Sequence, residues 1–149
     1  FQGSGGAGLQ GGKGGGIIWV HALGRFSLNG TLEARGSDSE TSEGASSGAG
    51  GGSGGAISVT TSTISGTADS VINVSGGNGR QGGGGGAGGW IYGNVLHSTS
   101  PNFAATATKS WYGKFNLYPG QVNNDMEDIT PHMGQLALPQ CLPGYESIF

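Results

Sequence analysis

A five-residue glycine block occurs three times in this chain: Gly-Gly-Lys-Gly-Gly at 11–15, Gly-Gly-Ser-Gly-Gly at 51–55 and Gly-Gly-Ala-Gly-Gly at 85–89. Each copy runs directly into a short apolar stretch: Gly16-Ile17-Ile18-Trp19-Val20, Ala56-Ile57-Ser58-Val59-Thr60 and Trp90-Ile91-Tyr92-Gly93-Asn94. The blocks start 40 and then 34 residues apart. Self-similarity at a period of roughly 20–50 residues marks an architecture of stacked units, none of which buries its apolar residues alone. Glycine fills 35 of 149 positions, a composition that by itself argues for disorder, since few side chains offset the ordering entropy. The regular period and the Ile, Val, Leu and Trp behind each block argue for order instead.

Within a unit the pattern is that of strands. Ile17, Trp19 and His21 alternate with Ile18, Val20 and Ala22, an alternation over β-branched and aromatic residues that predicts a strand covered on both faces. Gly24-Arg25 then turns the chain into Phe26-Ser27-Leu28, and Asn29-Gly30 is a second turn signal. Thr31-Leu32-Glu33-Ala34-Arg35 alternates again before a polar loop that reaches residue 50. The second unit repeats the plan. Ile57 and Val59 match Ile17 and Trp19, Ile64-Ser65-Gly66 matches Leu28-Asn29-Gly30, and Ile72-Asn73-Val74 matches Leu32-Glu33-Ala34, with Thr67-Ala68-Asp69-Ser70 inserted. Lys114-Phe115-Asn116-Leu117 echoes Arg25-Phe26-Ser27-Leu28 and extends a third unit to about residue 120.

The expected fold is all-β: a glycine-rich β-solenoid (β-helix) of two to three turns over residues 1–120, with an irregular linker or capping tail over 121–149. Successive turns would pair about 4.8 Å apart, with Ile17, Ile57 and Ile91 stacked inward as one ladder. Burial of each would contribute about 2 kcal/mol. A second arrangement for the glycine tracts is a bundle of extended polyglycine helices akin to polyproline II.

Chemistry-bearing residues are sparse. His21, His97 and His132 lie far apart, and the single Cys141 makes no zinc site alone. Lys13 sits among glycines, but no Gly-Lys-Ser/Thr and no following helix completes a phosphate loop. The acidic residues fall in the loop of Asp38, Glu40 and Glu43, at Asp69, and in the tail at Asp125, Glu127 and Asp128. They read as solvated loops rather than as the groove carboxylates of a polysaccharide-degrading β-helix. Neither an enzyme nor a cofactor is expected. A net charge of −3 with six Lys and Arg argues against nucleic acid as a partner, and no run reaches the roughly 18 apolar residues of a membrane span. The threonines of Thr60-Thr61-Ser62-Thr63 do not recur opposite Trp19-Val20-His21, as an ice-binding row requires. Two sequons, Asn29-Gly30-Thr31 and Asn73-Val74-Ser75, place their asparagines outward in this register and make both glycosylation candidates.

The succession Gly-Gly-x-Gly-Gly, Ile-x-Val, Leu/Ile-x-Gly, Ile-x-Val-x-Gly-Gly resembles the glycine-rich β-helix repeats of very large extracellular and cell-surface proteins, many from protists. The resemblance covers about residues 3–93. The tail segment Cys141-Leu142-Pro143-Gly144-Tyr145 is similar to the opening Cys-x-Pro-Gly of cysteine-rich modules like those of ephrin and TNF-type receptors. The resemblance implies a structural extracellular or cell-surface protein, a subunit of a filament or coat, with flagellar hairs as one setting. An adhesin whose acidic loop recognises glycans is the alternative. Its partners would be copies of itself or neighbouring modules. In such a setting Cys141 is expected to pair outside this segment, because extracellular thiols oxidise. Phe1 opens inside the repeat texture, so the chain is expected to be a processed product or part of something longer.

Overall fold

A computed structural model describes residues 2–8, 10–40, 48–95, 110–111, 114–121 and 135–137. The described elements are all strands: β1 (Ile17–Leu28), β2 (Thr31–Glu33), β3 (Ala56–Gly66), β4 (Val71–Asn73), β5 (Trp90–Val95), β6 (Ser110–Trp111), β7 (Lys114–Asn116) and β8 (Gln135–Ala137). The described part is therefore all-β. Its strands form two parallel sheets. One has the order β1-β3-β5-β8, with β6 also paired to β3, and the other has the order β2-β4-β7. Parallel pairing with alternate sheets visited along the chain is what a repeat of strand, corner, strand dictates.

The register differs from the expected one by a single residue at β1. Ile57 and Ile91 are partners, but Ile57's partner on β1 is Ile18, while Ile17 lies opposite Ala56. Ile17 is consequently 56% exposed, against 1% for Ile57 and 2% for Ile91. The inward ladder runs through Ile18, not Ile17. A one-residue slip exchanges the faces of a strand, and the expected register would have turned Trp19 into the core beside Val59. The observed one sends Ile18 and Val20 inward and leaves Trp19 outside.

Two further equivalences shift by an even number of residues and keep their faces. Ile64 pairs with Phe26 rather than Leu28, and Leu28 faces Gly66. Gly24-Arg25 makes no turn: β1 continues through it with an irregularity between Ala22 and Arg25. The hydroxyl of the buried Thr61 lies 2.8 Å from the Gly24 carbonyl and Ser62 Oγ donates to the Leu23 carbonyl, which holds the extra residue in place. Phe115 stacks with Ile72, whose other partner is Leu32, rather than with Phe26. The tail is not wholly irregular, since β8 pairs with β5 and its Leu136 is the backbone partner of Ile91.

Side chains facing in from the two sheets make one core. Ala34, Ile57, Val59, Ile64, Ile72, Val74 and Ile91 are buried, and Ile18, Val20, Phe26, Leu28 and Leu32 pack against them half-buried. The corner between the sheets is Asn29-Gly30 in the first unit, where Gly30 takes a φ of +136° that a side chain would resist. In the second unit four residues, Thr67-Ala68-Asp69-Ser70, make the same corner. The fully buried Ser70 closes it by donating to the Leu28 carbonyl at 2.6 Å and accepting from the Thr67 N–H at 2.9 Å.

The glycine tracts belong to neither sheet. Their hydrogen bonds recur at every third residue, and successive residues address different neighbours. In the tract around 50–55, Gly50 and Ser53 donate to Ala7 and Ser4, Gly51 and Gly54 to Gly84 and Ala87, and Gly52 and Gly55 to Ser37 and Ala34. Gly12 and Gly15 donate back into it, at Gly50 and Ser53. Hydrogen bonds that recur at every third residue and run from one tract to its neighbours have the three-residue periodicity of the polyproline II class. Glycine is required by proximity. A Cβ on Gly52, Gly54 or Gly55 would overlap the carbonyl of Lys13, Val74 or Gly16 respectively. The middle positions of the blocks carry the side chains: Lys13 is exposed, and the half-buried Ser53 shares a hydrogen bond with Ser4, its Oγ 3.0 Å from the Ser4 Oγ.

Candidate functional site

The outward face of the β1-β3-β5 sheet carries the described residues' main concentration of exposed aromatic surface. Two outward rows cross the strands there: Ile17, Ala56, Trp90 and then Trp19, Ser58, Tyr92. Alternation dictates this. Once Ile18, Ile57 and Ile91 face the core, their neighbours on both sides must face out. Large residues stand on β1 and β5, while β3 between them carries only Ala56 and Ser58. The result is an open groove along the strands with a volume of about 420 Å³, walled by Ile17 and Trp19 on one side and Trp90 and Tyr92 on the other. Trp19 is 77% exposed and Tyr92 40%. Among the described residues no Lys, Arg, Asp or Glu lines it. The next outward row begins with His21 and Thr60.

The acidic loop singled out from the sequence is built differently. Asp38 Oδ1 accepts from Arg35 Nη2 at 2.9 Å and from the Asn78 backbone N–H at 2.7 Å. Its charge is thus spent on tying one unit to the next. Glu43 lies outside the described residues. Among those residues no group of three or more His, Cys, Asp and Glu gathers as a metal would need. No described helix is long and apolar enough to cross a membrane.

Asn29 stands exposed at the first corner, and its Oδ1 accepts from Thr67 Oγ1 at 3.3 Å. Asn73 lies on the central strand β4 and is half-buried, although Ile72 and Val74 on either side face the core. Its Nδ2 donates to Glu33 Oε1 at 2.8 Å and its Oδ1 accepts from the Ser75 N–H at 3.0 Å. Cys141 lies outside the described residues. The groove itself was missed in the sequence, because the expected register sent Trp19 inward. The signal was present in the contrast between small Ala56 and Ser58 and the bulky residues one unit before and after. No family model, curated protein or solved structure matches the chain.

Proposed function

We propose that this chain is a structural extracellular module, a β-solenoid unit that stacks end to end with copies of itself or with like modules to build a filament or surface coat. The observation that supports it is the state of the first unit. β1 and β2 are the terminal strands of their sheets, on the same side of the molecule, and pair with no further strand among the described residues. The core side chains of that unit, Ile18, Val20, Phe26, Leu28 and Leu32, remain half-exposed. Their partners one unit on, Ile57, Val59, Ile64 and Ile72, are buried. An open parallel edge beside unfinished apolar layers is completed by another strand-bearing unit in the same register. A contact that repeats without closing gives a filament.

Sedimentation velocity and electron microscopy across a range of protein concentrations test this. Elongated assemblies are expected, and Phe26→Lys, which puts a charge on the open layer, should reduce them to monomers that keep their β spectrum. A stable monomer at high concentration would overturn the proposal.

A further inference from the structure

Stacking at the strand edges leaves the flat of the sheet untouched, so the aromatic groove needs its own account. Its walls stand on β1 and β5, two strand spacings or about 9.6 Å apart. A flat ring touching both walls needs roughly twice a carbon contact of 3.5–4.0 Å, about 8 Å, which that spacing supplies. The volume of about 420 Å³ admits more than one such ring along the strands.

The chemistry of the lining narrows the ring further. Aromatic faces carry partial negative charge and favour the weakly positive C–H bonds of a saturated ring face. Ser58 on the floor and the Tyr92 phenol on the wall supply hydroxyl groups able to donate and accept. With no charged side chain among the described lining residues, none of them would offset a sulfate, phosphate or carboxylate. The floor strand is paired on both sides, to β1 and to β5, so it offers no backbone edge on which a peptide could add as a strand. We infer that the groove is a binding site for a neutral glycan whose rings carry their hydroxyls at the equator and whose equatorial glycosidic bonds keep successive C–H faces exposed along a flat chain, that is, a β-linked glucan or chitin-type oligosaccharide. A filament built from such units would display the groove at intervals along its side and bind a polysaccharide surface multivalently.

Tryptophan fluorescence and calorimetric titrations with cellohexaose, laminarihexaose and chitohexaose test the site, with an α-linked dextran oligomer and oligogalacturonate as comparisons. At least one neutral β-linked hexamer should bind and shift tryptophan emission, with the α-linked and acidic oligomers at least ten-fold weaker. Trp19→Ala should lower the affinity at least ten-fold at an unchanged melting temperature, because Trp19 is mostly exposed. Leu23→Ser, 82% exposed on the same strand but outside the groove, should leave binding intact. Absence of binding to all three neutral hexamers, or binding indifferent to Trp19→Ala, overturns the inference. So does a groove already occupied, seen as emission that changes with protein concentration alone through a second copy, or as a Trp19 shielded from acrylamide. Tighter binding of a proline-rich decapeptide than of any glycan would also overturn it. These titrations do not depend on end-to-end assembly, so a negative result leaves the filament proposal standing, and the reverse holds too.

Discussion

At Ile57 a buried side chain decides where the chain sits; at Gly54, three residues earlier, the lack of one does. The sheets hold their register through alternation: one residue of slip would expose Ile57 and bury Ser58, so side chains select one pairing. The glycine tracts have no such label. They are fixed by backbone hydrogen bonds to several neighbours at once, and those bonds form only where chains approach closely enough to exclude a Cβ. Sheets tolerate exchange of one apolar residue for another at modest cost, whereas a tract tolerates almost nothing larger than hydrogen at its inner positions.

The sharpest way to break this contrast is a single methyl group. In Gly54→Ala the new Cβ meets the Val74 carbonyl oxygen and the Gly89 nitrogen, both backbone, so neither can swing aside. The loss should exceed about 3 kcal/mol, the upper range for overpacking, and chemical denaturation should read it as a large fall in midpoint or as failure to fold. Gly84→Ala is the partner experiment. A Cβ there meets nothing within 4 Å, and its φ is not in the left-handed region. Removing backbone freedom from the unfolded chain should leave stability unchanged or raise it by about 0.4–1 kcal/mol. Equal effects at the two positions would mean that the tracts are not packed as described.

The next pair tests the sheets. Ile57→Ala deletes a side chain that is 1% exposed and should cost about 2–5 kcal/mol. Ile17→Ala, at a position 56% exposed, should stay within about 0.5 kcal/mol. Thermal melts of the two variants distinguish the observed register from the one in which Ile17 is the inward residue, which requires comparable losses.

That one-residue difference shows what the sequence made legible and what it did not. The parallel stacking, the β1-to-β3-to-β5 succession and the pairing of Leu32 with Ile72 follow from alternation of apolar residues. The position of β1 does not follow from counting glycines. Gly12 donates to Gly50, and Gly51 to Gly84, so the first block sits one residue out of phase with the second. Glycines are interchangeable to the reader but not to the hydrogen-bond lattice, and the phase emerges only when Trp19 is required to face out. The aromatic groove was hidden for the same reason. β8 was hidden by brevity, since Gln135-Leu136-Ala137 is too short to alternate recognisably without the strand it joins.

A smaller effect is expected at the corner that joins one sheet to the other. Ser70 is fully buried and has both roles of its hydroxyl filled, toward Leu28 and Thr67. Ser70→Ala strands the Leu28 carbonyl and the Thr67 N–H and should cost about 1–3 kcal/mol. Amide hydrogen exchange should show faster exchange at Thr67 and Val71 than at Ile57. Uniform protection after the substitution would mean that the corner is held by its backbone alone.

The least effect on stability, and the finest division between corner and strand, is expected at the two sequons. A glycan attaches to the asparagine Nδ2. Asn29 is exposed, and its bond with Thr67 uses Oδ1, so the attachment atom is not engaged there. Asn73 spends Nδ2 on Glu33, and the Ser75 N–H on its Oδ1 fixes that orientation. It also lies in the middle strand of its sheet, in register between Glu33 and Asn116. Asn29 is therefore the expected acceptor and Asn73 the poor one. Expression in a glycosylating host, followed by intact-mass measurement before and after enzymatic deglycosylation, should give one glycan per chain. Asn29→Gln should abolish it while moving the melting temperature little, because an exposed amide contributes at most a few tenths of a kcal/mol. A glycan found on Asn73 instead would show that attachment precedes the pairing of β4 with its neighbours, making this sheet late to form. An unmodified chain, with both peptides recovered at their unglycosylated mass, would remove the glycoprotein expectation altogether.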